Sequence, residues 1–486
     1  MSTRRVLVAG GGISGLAAAY RLLETARKDS RSLEVTVLEE RTRFGGVIHT
    51  ERHGDFVLDA GPDSFLTTKP QAKALCQELG LGAELVETRS ENRRVLVRHE
   101  EGLHELPEGL MLAIPTRIVP LVKSRLFSWP GKLRMGLDLL IPPRRDEEGD
   151  ESMASFLRRR LGAEALLRLG EPLMAGIYAG DAAELSIRST FPQLVELERR
   201  HGSLIRGALA QRRAARGKPA PAAFNALRGG MGELPAALVR AIEERGGRML
   251  RGRRLVALTR SGDGGPSGRF SAQVSGEAGD ELFAADDVLL ALPAFASADV
   301  LQHLDADLAA ELRGIPYLSS ATAVLAYPRS AVRHPLNALG VIVPRDQATR
   351  ALAATFISSK WEARAPDDAV LLRLFFGGSR DPDVLHHGDD VLVERARREL
   401  RALLGIDAEP LLSRVFRYER ASAQPLVGHA ARLSRVRAAA ARTPGLHLAA
   451  GGLDGIGIPD CIRQADAAAR AILSRQPRTS DAALLS

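Results

Sequence analysis

A chain of 486 residues and 52.3 kDa is too long for one compact core, because single cores usually stop growing at about 250–300 residues. Its hydrophobic share of 45%, charged share of 26% and mean hydropathy of -0.08 are typical of a globular protein and exclude a disordered or fibrous one. Two cysteines, Cys76 and Cys461, are too few for a disulfide framework or a zinc site. We therefore expect a reducing compartment and no metal.

The net charge of +8 raises nucleic acid or an anionic membrane as a partner. Only seven of the 67 basic residues are lysine, however, and the arginines are scattered through the chain, often beside acids. This distribution predicts a solvated basic surface and no nucleic-acid partner. The sequence shows no cleavable hydrophobic leader and no run of about 18 uncharged apolar residues, so we expect a cytoplasmic protein, with peripheral attachment to the cell membrane left open.

Strands alternate with helices at both ends of the chain, which is typical of an α/β fold. The predicted strands cover residues 5–9, 34–39, 287–292 and 446–450. Other segments are a helical region at 110–211, a basic linker at 211–222, a β-meander at 246–290 with a surface turn at 261–268, a strand-rich region at 318–376 and a polar tail of about a dozen residues. The pattern predicts a separate helical insertion and shows no repeats.

The first strand leads into Gly10, Gly12 and Gly15 in G-x-G-x-x-G order, followed by an alanine-rich helix. The first glycine permits a tight turn, the second lets the backbone approach a pyrophosphate, and the third allows close helix–strand packing. Glu39 ends the next strand, where a carboxylate can accept hydrogen bonds from ribose hydroxyls. The motif in this context predicts a dinucleotide site.

Two further features favour FAD over NAD. Arg43, Gly45 and Gly46 form R-x-G-G directly after Glu39, where a second glycine pair can approach the pyrophosphate. Near the C-terminus, residues 445–473 read as a strand, a glycine-rich turn and a helix that begins near Asp460. A helix N-terminus there could stabilise the negative charge of reduced flavin.

These segments, with the strand ADDVLLALPA and the doublet in RGGMGELPAAL, resemble the flavin amine oxidase and protoporphyrinogen oxidase superfamily. DAGPDSFLTTKP, EPLMAGIYAGDAAELSIRSTFP and GIGIPDCI are similar to the porphyrinogen oxidases of haem biosynthesis in particular. The resemblance implies a Rossmann-like FAD-binding domain at 1–82, 220–298 and 412–486, an α+β substrate domain at 83–100 and 299–411, and a helical, membrane-facing insertion at 101–219.

The resemblance also implies site residues, although no side chain is assigned as catalytic. The expected FAD-binding residues are Gly10, Gly11, Gly12, Ile13, Ser14, Gly15, Glu39, Glu40, Arg43, Gly46, Val47, Gly61, Pro62, Asp63, Ser64, Leu255, Ile456, Gly457 and Ile458. The expected substrate residues are Gly176, Leu339 and Ile342, to which we add the apolar Phe375 and the cation Lys69. Lys69 is the cation nearest to Asp63, a position where some relatives carry an arginine for a substrate propionate.

The implied reaction removes hydride from a porphyrinogen meso carbon to FAD, with molecular oxygen as acceptor and hydrogen peroxide as product. It requires positioning in an apolar slot more than acid–base catalysis. Protoporphyrinogen IX and coproporphyrinogen III both remain open as substrates, and the oligomeric state stays open too, a homodimer included. The sequence departs from the family at Ala423, Gln424 and Pro425 and at Leu453, which affects packing around the flavin.

A flavin amine oxidase is the first alternative, with Lys360 as its flavin-side lysine. Aromatic residues make up only 4% of the chain, and the turn at 451–458 holds none, which disfavours the aromatic pair such enzymes use. A non-catalytic FAD-stabilised scaffold is the second alternative, which the intact glycine set disfavours. The pair His386 and His387 lies among aspartates but is expected to be a solvated turn.

Residues 110–145 form a basic, apolar segment. Its seven basic residues are Arg117, Lys123, Arg125, Lys132, Arg134, Arg144 and Arg145, against the single acid Asp138, with Phe127 and Trp129 between them. The segment is too charged to span a bilayer but suits the surface of an anionic membrane. A basic helical pair packed on the rest of the protein is the alternative.

Overall fold

The computed structural model describes residues 3–100, 102–111, 114–115, 117–144, 149–214, 222–261, 269–277, 279–347 and 349–475. The predicted turn at 261–268, most of the linker at 211–222 and the polar tail lie largely outside these ranges. Within them the helix Leu204–Ala214 covers residues 211–214, so the first residues of the expected linker are helical. The remainder of those three predictions concerns residues outside the described part of the chain.

A five-stranded parallel sheet holds the N-terminal glycine turn. Its order is β12 (Arg248–Arg251), β2 (Leu33–Glu39), β1 (Arg4–Ala9), β16 (Asp287–Leu290) and β22 (Leu446–Leu448). The four predicted strands are therefore confirmed, with one end of each shifted by one or two residues. Because all five strands run in parallel, the turns that follow them meet at one edge of the sheet.

Two layers cover this sheet. On one side α1 (Ile13–Lys28) packs between α11 (Glu233–Glu243) and α17 (Ile458–Ser474), with buried residues such as Leu16, Leu234 and Ile462 in a common core. On the other side lies the predicted meander, formed by β13 (Arg253–Arg260), β14 (Phe270–Gly276) and β15 (Gly279–Ala285). Apolar runs without polar alternation in β1 and β16 follow from burial on both faces.

The second large sheet of the protein has seven strands and is mixed. Its order is β21 (Leu412–Ala423), β17 (Tyr317–Pro328), β20 (Ala369–Gly377), β19 (Ala353–Phe356), β18 (Gly340–Ile342), β7 (Val95–His99) and β8 (Gly102–Glu105). The expected domain boundaries at 100/101 and 411/412 cut this sheet, because β8 and β21 pair with its strands. The spacing of residues in the sequence does not reveal strand pairing. The pairing places the first boundary after Glu105 and the second after Ala423.

Side chains alternate between the two faces of this sheet. The outer face carries Leu372, Leu374 and Phe376 and packs with α15 (Asp389–Leu404). The inner face carries Thr322, Arg373 and Phe375 and faces the FAD-binding part of the chain, since its neighbour Leu371 belongs to that core. We use the name inner face for this surface below.

The remaining strands are short. They form the pairs β3 (Thr50–His53) with β4 (Phe56–Asp59) and β9 (Leu110–Met111) with β10 (Ile114–Pro115), and a three-stranded sheet of β5 (Phe65–Leu66), β11 (Phe224–Leu227) and β6 (Leu85–Glu87).

Helices dominate the region between β10 and β11, as the sequence predicts. The helices not yet named are α2 (Gln71–Glu78), α3 (Ile118–Lys123), α4 (Trp129–Gly136), α5 (Met153–Leu161), α6 (Ala163–Ala165), α7 (Glu171–Tyr178), α8 (Ile187–Thr190), α9 (Pro192–His201), α10 (Leu204–Ala214), α12 (Ala294–Leu301), α13 (Ala306–Arg313), α14 (Ile357–Lys360) and α16 (His429–Ala441). Helices α3–α10 share one apolar cluster, which includes Phe127, Phe156 and Leu197.

Candidate functional site

The glycine turn between β1 and α1 is shaped for close approach. Gly10 has a φ of +106°, and a Cβ on Gly15 would lie 1.9 Å from the carbonyl oxygen of Gly10. No side chain is tolerated at that distance, so Gly15 brings the start of α1 directly against the turn. The N-terminus of α1 therefore opens at the carboxyl edge of the parallel sheet, where its N–H groups favour an anion.

Glu39 organises this turn as well as ending β2. Its carboxylate accepts hydrogen bonds from the backbone N–H of Gly11 at 2.8 Å and of Arg41 at 2.9 Å, and the residue is only 6% exposed. Two backbone amides at the sheet edge thus hold the carboxylate in place. The neighbouring Glu40 is exposed, so of these two acids Glu39 is the one fixed at the edge.

The second glycine pair packs onto the first. The N–H of Gly45 donates to the carbonyl of Gly11 at 2.8 Å, and a Cβ on Gly61 would lie 2.0 Å from the carbonyl oxygen of Val47. Arg43 stands beside this contact, where burial and the neighbouring Arg41 lower its pKa. Residues 10–15, 39, 43–47 and 61 are therefore brought together at one edge, as the sequence predicts.

The turn between β22 and α17 lies at the same edge of the parallel sheet. Gly455 has a φ of +94°, Gly457 precedes the first residue of α17, and α17 packs along α1. Ile456 contacts the apolar cluster of the helical region, so this turn lies between the glycine turn and those helices. Leu255 differs from the other expected residues, because its side chain is buried in the core below the sheet.

Asp63 and its neighbours form a buried ionic cluster. The Asp63 carboxylate lies 3.0 Å from Lys360 Nζ and 3.2 Å from Arg373 Nη2, and it accepts a bond from Trp361 Nε1 at 3.3 Å. Burial by itself raises the pKa of Asp63, but the two cations lower it below its usual range. The Asp63 carboxylate is thus engaged by Lys360, Arg373 and Trp361.

The amine oxidase alternative requires a lysine that is accessible beside the flavin. Lys360 is not accessible in this way. Its ammonium group bonds to both oxygens of Asp63 and to Ser64 Oγ at 3.4 Å, and the residue is 8% exposed. These contacts join α14 to the segment after β4 and leave the lysine in a structural ion pair.

Most of the expected substrate residues converge on the inner face. Strand register places Phe375 and Ile342 in one row across it, separated by Ala353. Phe375 also packs against Ala175 and Ala179, which flank Gly176. Gly176 itself is exposed, and a Cβ there would meet nothing within 4 Å. Leu339, half-buried, immediately precedes β18.

Lys69 lies apart from this row and has a partner. Its ammonium group is 2.6 and 2.7 Å from the carboxylate oxygens of Asp460, at the start of α17. Contact between Lys69 and a substrate propionate stays a prediction, and it would require competition with Asp460.

Sequence reasoning missed three inner-face groups. Thr322 Oγ1, Tyr418 Oη and Arg373 Nε are buried and have no hydrogen-bond partner within the described residues. All three belong to strands whose partners lie far away in sequence, so only the strand register brings them beside the site. Within the same described residues, no group of three or more His, Cys, Asp or Glu side chains is arranged to hold a metal ion.

Comparison with known proteins adds to this geometry. The family described as flavin containing amine oxidoreductase matches residues 13–473. The chain belongs to this family. Coproporphyrinogen III oxidase of Bacillus subtilis (strain 168) is 32% identical over 96% of this chain and 97% of its own, and that of Propionibacterium freudenreichii subsp. freudenreichii is 33% identical over 95% and 89%.

A solved structure agrees over the whole chain. The crystal structure of a protein from Exiguobacterium sp. 255-15, named as a protoporphyrinogen oxidase, has a TM-score of 0.83 at 31% identity and covers 98% of this chain and 100% of that one. The predicted resemblance to porphyrinogen oxidases and the α/β FAD-binding fold are thus confirmed.

FAD is the cofactor of this flavoenzyme, and the residues present fit it. The edge offers two glycine pairs without side chains, the N-termini of α1 and α17, and a fixed carboxylate at Glu39. Those elements supply the close backbone approach and the hydrogen-bond acceptor that an adenosine diphosphate group needs. The individual FAD contacts, from Gly10 to Ile458, remain our predictions.

Replacing Glu39 by alanine tests the ribose contact. We expect FAD occupancy to fall markedly, because the change removes a charge-assisted contact of about 1.5–3 kcal/mol and leaves the Gly11 N–H without its acceptor. The measurement is the flavin-to-protein absorbance ratio of the purified protein. Glu34→Ala, at the other, exposed end of β2, is the control and should keep full occupancy. Undiminished occupancy in the Glu39 variant would refute the contact.

Proposed function

We propose that this protein is a porphyrinogen oxidase of haem biosynthesis that converts coproporphyrinogen III to coproporphyrin III, with protoporphyrinogen IX as the alternative substrate. The observation that carries the proposal is the match to the Bacillus subtilis coproporphyrinogen III oxidase over 96% of this chain and 97% of that one. Molecular oxygen is the proposed acceptor, with hydrogen peroxide as the second product.

The site supports this reaction class. When bound, FAD supplies the hydride acceptor, so the chain's own residues need mainly to hold and orient the substrate. The row that contains Ile342, Ala353 and Phe375 offers a flat apolar surface opposite α7, suited to a macrocycle and to the exclusion of water. No strongly basic side chain is needed on this surface for hydride transfer.

An aerobic fluorescence assay tests the function. The holoenzyme is mixed separately with coproporphyrinogen III and protoporphyrinogen IX, and red porphyrin fluorescence and peroxide are followed together, because only the aromatised product emits. We expect faster turnover of coproporphyrinogen III. The FAD-free protein is the control, and a panel of primary amines tests the amine oxidase alternative. Absence of fluorescence with both porphyrinogens would exclude the proposal.

We also propose that helices α3 and α4 attach the protein to anionic membranes. No described helix has the length and apolar character to cross a bilayer. The two helices and the turn after them expose large apolar side chains: Val119, Val122, Trp129, Leu133, Leu137 and Leu140. A surface that combines such groups with cations suits the interface of an acidic membrane.

The charges of this surface differ from the sequence expectation in two ways. Asp138, the single acid of the segment, is fully buried, and Phe127 is buried as well, so neither belongs to the surface. Arg134 donates to carbonyls at the end of α5, which engages it. Lys123 and Arg125 are exposed, and no hydrogen bond or ion pair with another described residue engages them.

Cosedimentation with vesicles tests the attachment. We expect binding to vesicles of anionic lipid and not to neutral ones, with loss at high salt, because each surface cation contributes about 1 kcal/mol. Lys123→Glu combined with Arg125→Glu should abolish it. The matched control is Arg254→Glu with Arg260→Glu, two exposed positions on the meander strand β13. Equal binding to both vesicle types, or none at low salt, would contradict the attachment.

A further inference from the structure

Arg380 stands out among the groups beside the site. It ends the turn Gly378–Arg380 that follows β20, so it lies directly beyond the strand that carries Phe375. The turn is pressed against the residues after α7, since Ser379 N donates to the carbonyl of Ala179 at 2.8 Å. Arg380 is therefore at the rim of the apolar row, beside the cluster of Ala175, Ala179 and Phe375.

The guanidinium is anchored on one side only. Nη1 donates to the carbonyl of Val343 at 2.7 Å and to that of Ala351 at 3.4 Å. Within the described part of the chain, the buried Nε and Nη2 have no hydrogen-bond partner, and no carboxylate forms an ion pair with Arg380. Arg380 is half-buried as a residue, but leaving its two buried N–H groups without acceptors is costly, which indicates that a group absent from the chain itself completes them.

The two unmet nitrogens are a matched pair. Nε–H and Nη2–H both lie in the guanidinium plane and point in the same direction from one edge of the group. Together they form a fork that binds both oxygens of one carboxylate. With Nη1 held by Val343 and Ala351, the fork is fixed in direction and needs no further ordering. Both nitrogens are covered in this structure, so a carboxylate reaches the fork once the side chains that cover it move aside.

No charged side chain of the described residues binds Nε or Nη2 of Arg380. Arg345, a neighbouring cation, is paired with Asp181 at 3.0 Å and donates to Ser379 Oγ at 3.3 Å, while Arg350 donates to the backbone carbonyl of Arg380 at 3.1 Å. Burial and the neighbouring Arg345 lower the pKa of Arg380 to about 10, so the guanidinium stays charged at neutral pH. Glu171 is also nearby, but burial raises its pKa, and it makes no ion pair with Arg380.

We infer that Arg380 binds a propionate carboxylate of the substrate through Nε and Nη2, and so fixes the macrocycle's orientation on the apolar row. This inference rests on the proposed function, since a porphyrinogen is the ligand that combines a broad apolar ring with carboxylate arms. Arg380 is thus a specificity-determining residue at the rim of the site.

Equilibrium binding of coproporphyrin III to the holoenzyme tests this role without relying on turnover. For Arg380→Gln we expect Kd to rise about tenfold to hundredfold, as for loss of a charge-assisted bidentate contact. The tetramethyl ester of the same porphyrin, which lacks carboxylates, should bind both proteins equally. In turnover, KM for coproporphyrinogen III should rise more than kcat falls.

Two further variants keep the test decisive. Arg380→Lys keeps a charge but not the fork, so its Kd should lie between those of the other two proteins. Arg313→Gln, an exposed arginine on α13, is the control and should bind like the unchanged protein. Flavin absorbance and the unfolding midpoint of each variant check its fold.

The outcomes separate this inference from the proposed function. If the unchanged protein neither binds coproporphyrin III nor oxidises a porphyrinogen, the proposed function fails. If the unchanged protein does both, two results would overturn the role of Arg380 while the function stands. One is that Arg380→Gln binds coproporphyrin III as tightly as the unchanged protein does. The other is that Arg380→Gln weakens binding of the tetramethyl ester as much as binding of coproporphyrin III.

Discussion

Leucine at position 176 is expected to abolish porphyrinogen oxidation while leaving FAD bound. Gly176 lies on α7 between Ala175, which packs against Phe375, and the exposed Ile177. An added Cβ would meet nothing within 4 Å, so the helix accepts leucine, and the new side chain would occupy the space proposed for the macrocycle. Because hydride transfer depends on close positioning, we expect turnover to fall by about 100-fold or more.

Single-turnover and steady-state fluorescence assays measure this effect, with flavin absorbance to report bound FAD. Gly136→Leu is the matched control, because Gly136 also lies in a helix and its added Cβ would also meet nothing within 4 Å. That variant should keep full turnover. Normal activity of the Gly176 variant would place this residue on ordinary surface, and simultaneous loss of flavin would make its role structural.

Replacing Asp138 by alanine should destabilise the helical region strongly. Asp138 and Arg160 are both fully buried, with Arg160 Nη2 2.5 Å from Asp138 Oδ1. The carboxylate also accepts bonds from Ser203 Oγ at 2.6 Å and the N–H of Ile205 at 2.9 Å. Removing Asp138 takes away the nearest partner of a buried arginine and leaves it only Glu198, 3.4 Å from Arg160 Nη1, so we expect a loss of about 3 kcal/mol.

Denaturant unfolding followed by circular dichroism measures this loss. Glu196→Ala is the control: Glu196 pairs with Arg199 and Arg200 on the surface of α9, where exposed pairs contribute little. We expect a clear fall in midpoint for the Asp138 variant and almost none for the control. Equal, small shifts in both variants would show that the buried pair does not stabilise this region.

Asp138 also illustrates how the structure alters a sequence reading. In the sequence it is the single acid of a basic segment, and it is counted there against the positive charge of a surface. In the fold it lies below that surface, held by Arg160 from α5 and by the start of α10. The exposed part of the segment therefore presents cations and apolar groups without that acid.

The sequence by itself determined the glycine turn, Glu39 and the parallel strands, because the requirements there are local. A left-handed φ at Gly10 and a 1.9 Å approach at Gly15 exclude side chains whatever the rest of the fold does. Strands buried on both faces likewise show as continuous apolar runs. Such signals depend on neighbours within a few residues and remain visible in one sequence.

Only the tertiary structure decided which distant groups meet. Asp63 contacts Lys360, which is 297 residues away in the sequence, and Arg380 donates to the carbonyls of Val343 and Ala351 because β20 lies beside β19. These contacts are set by strand order and register, and a shift of one residue would turn Phe375 and Arg373 to the outer face. Pairing of that kind leaves no local pattern in the chain, since its free energy comes from surfaces that only the folded sheet brings together.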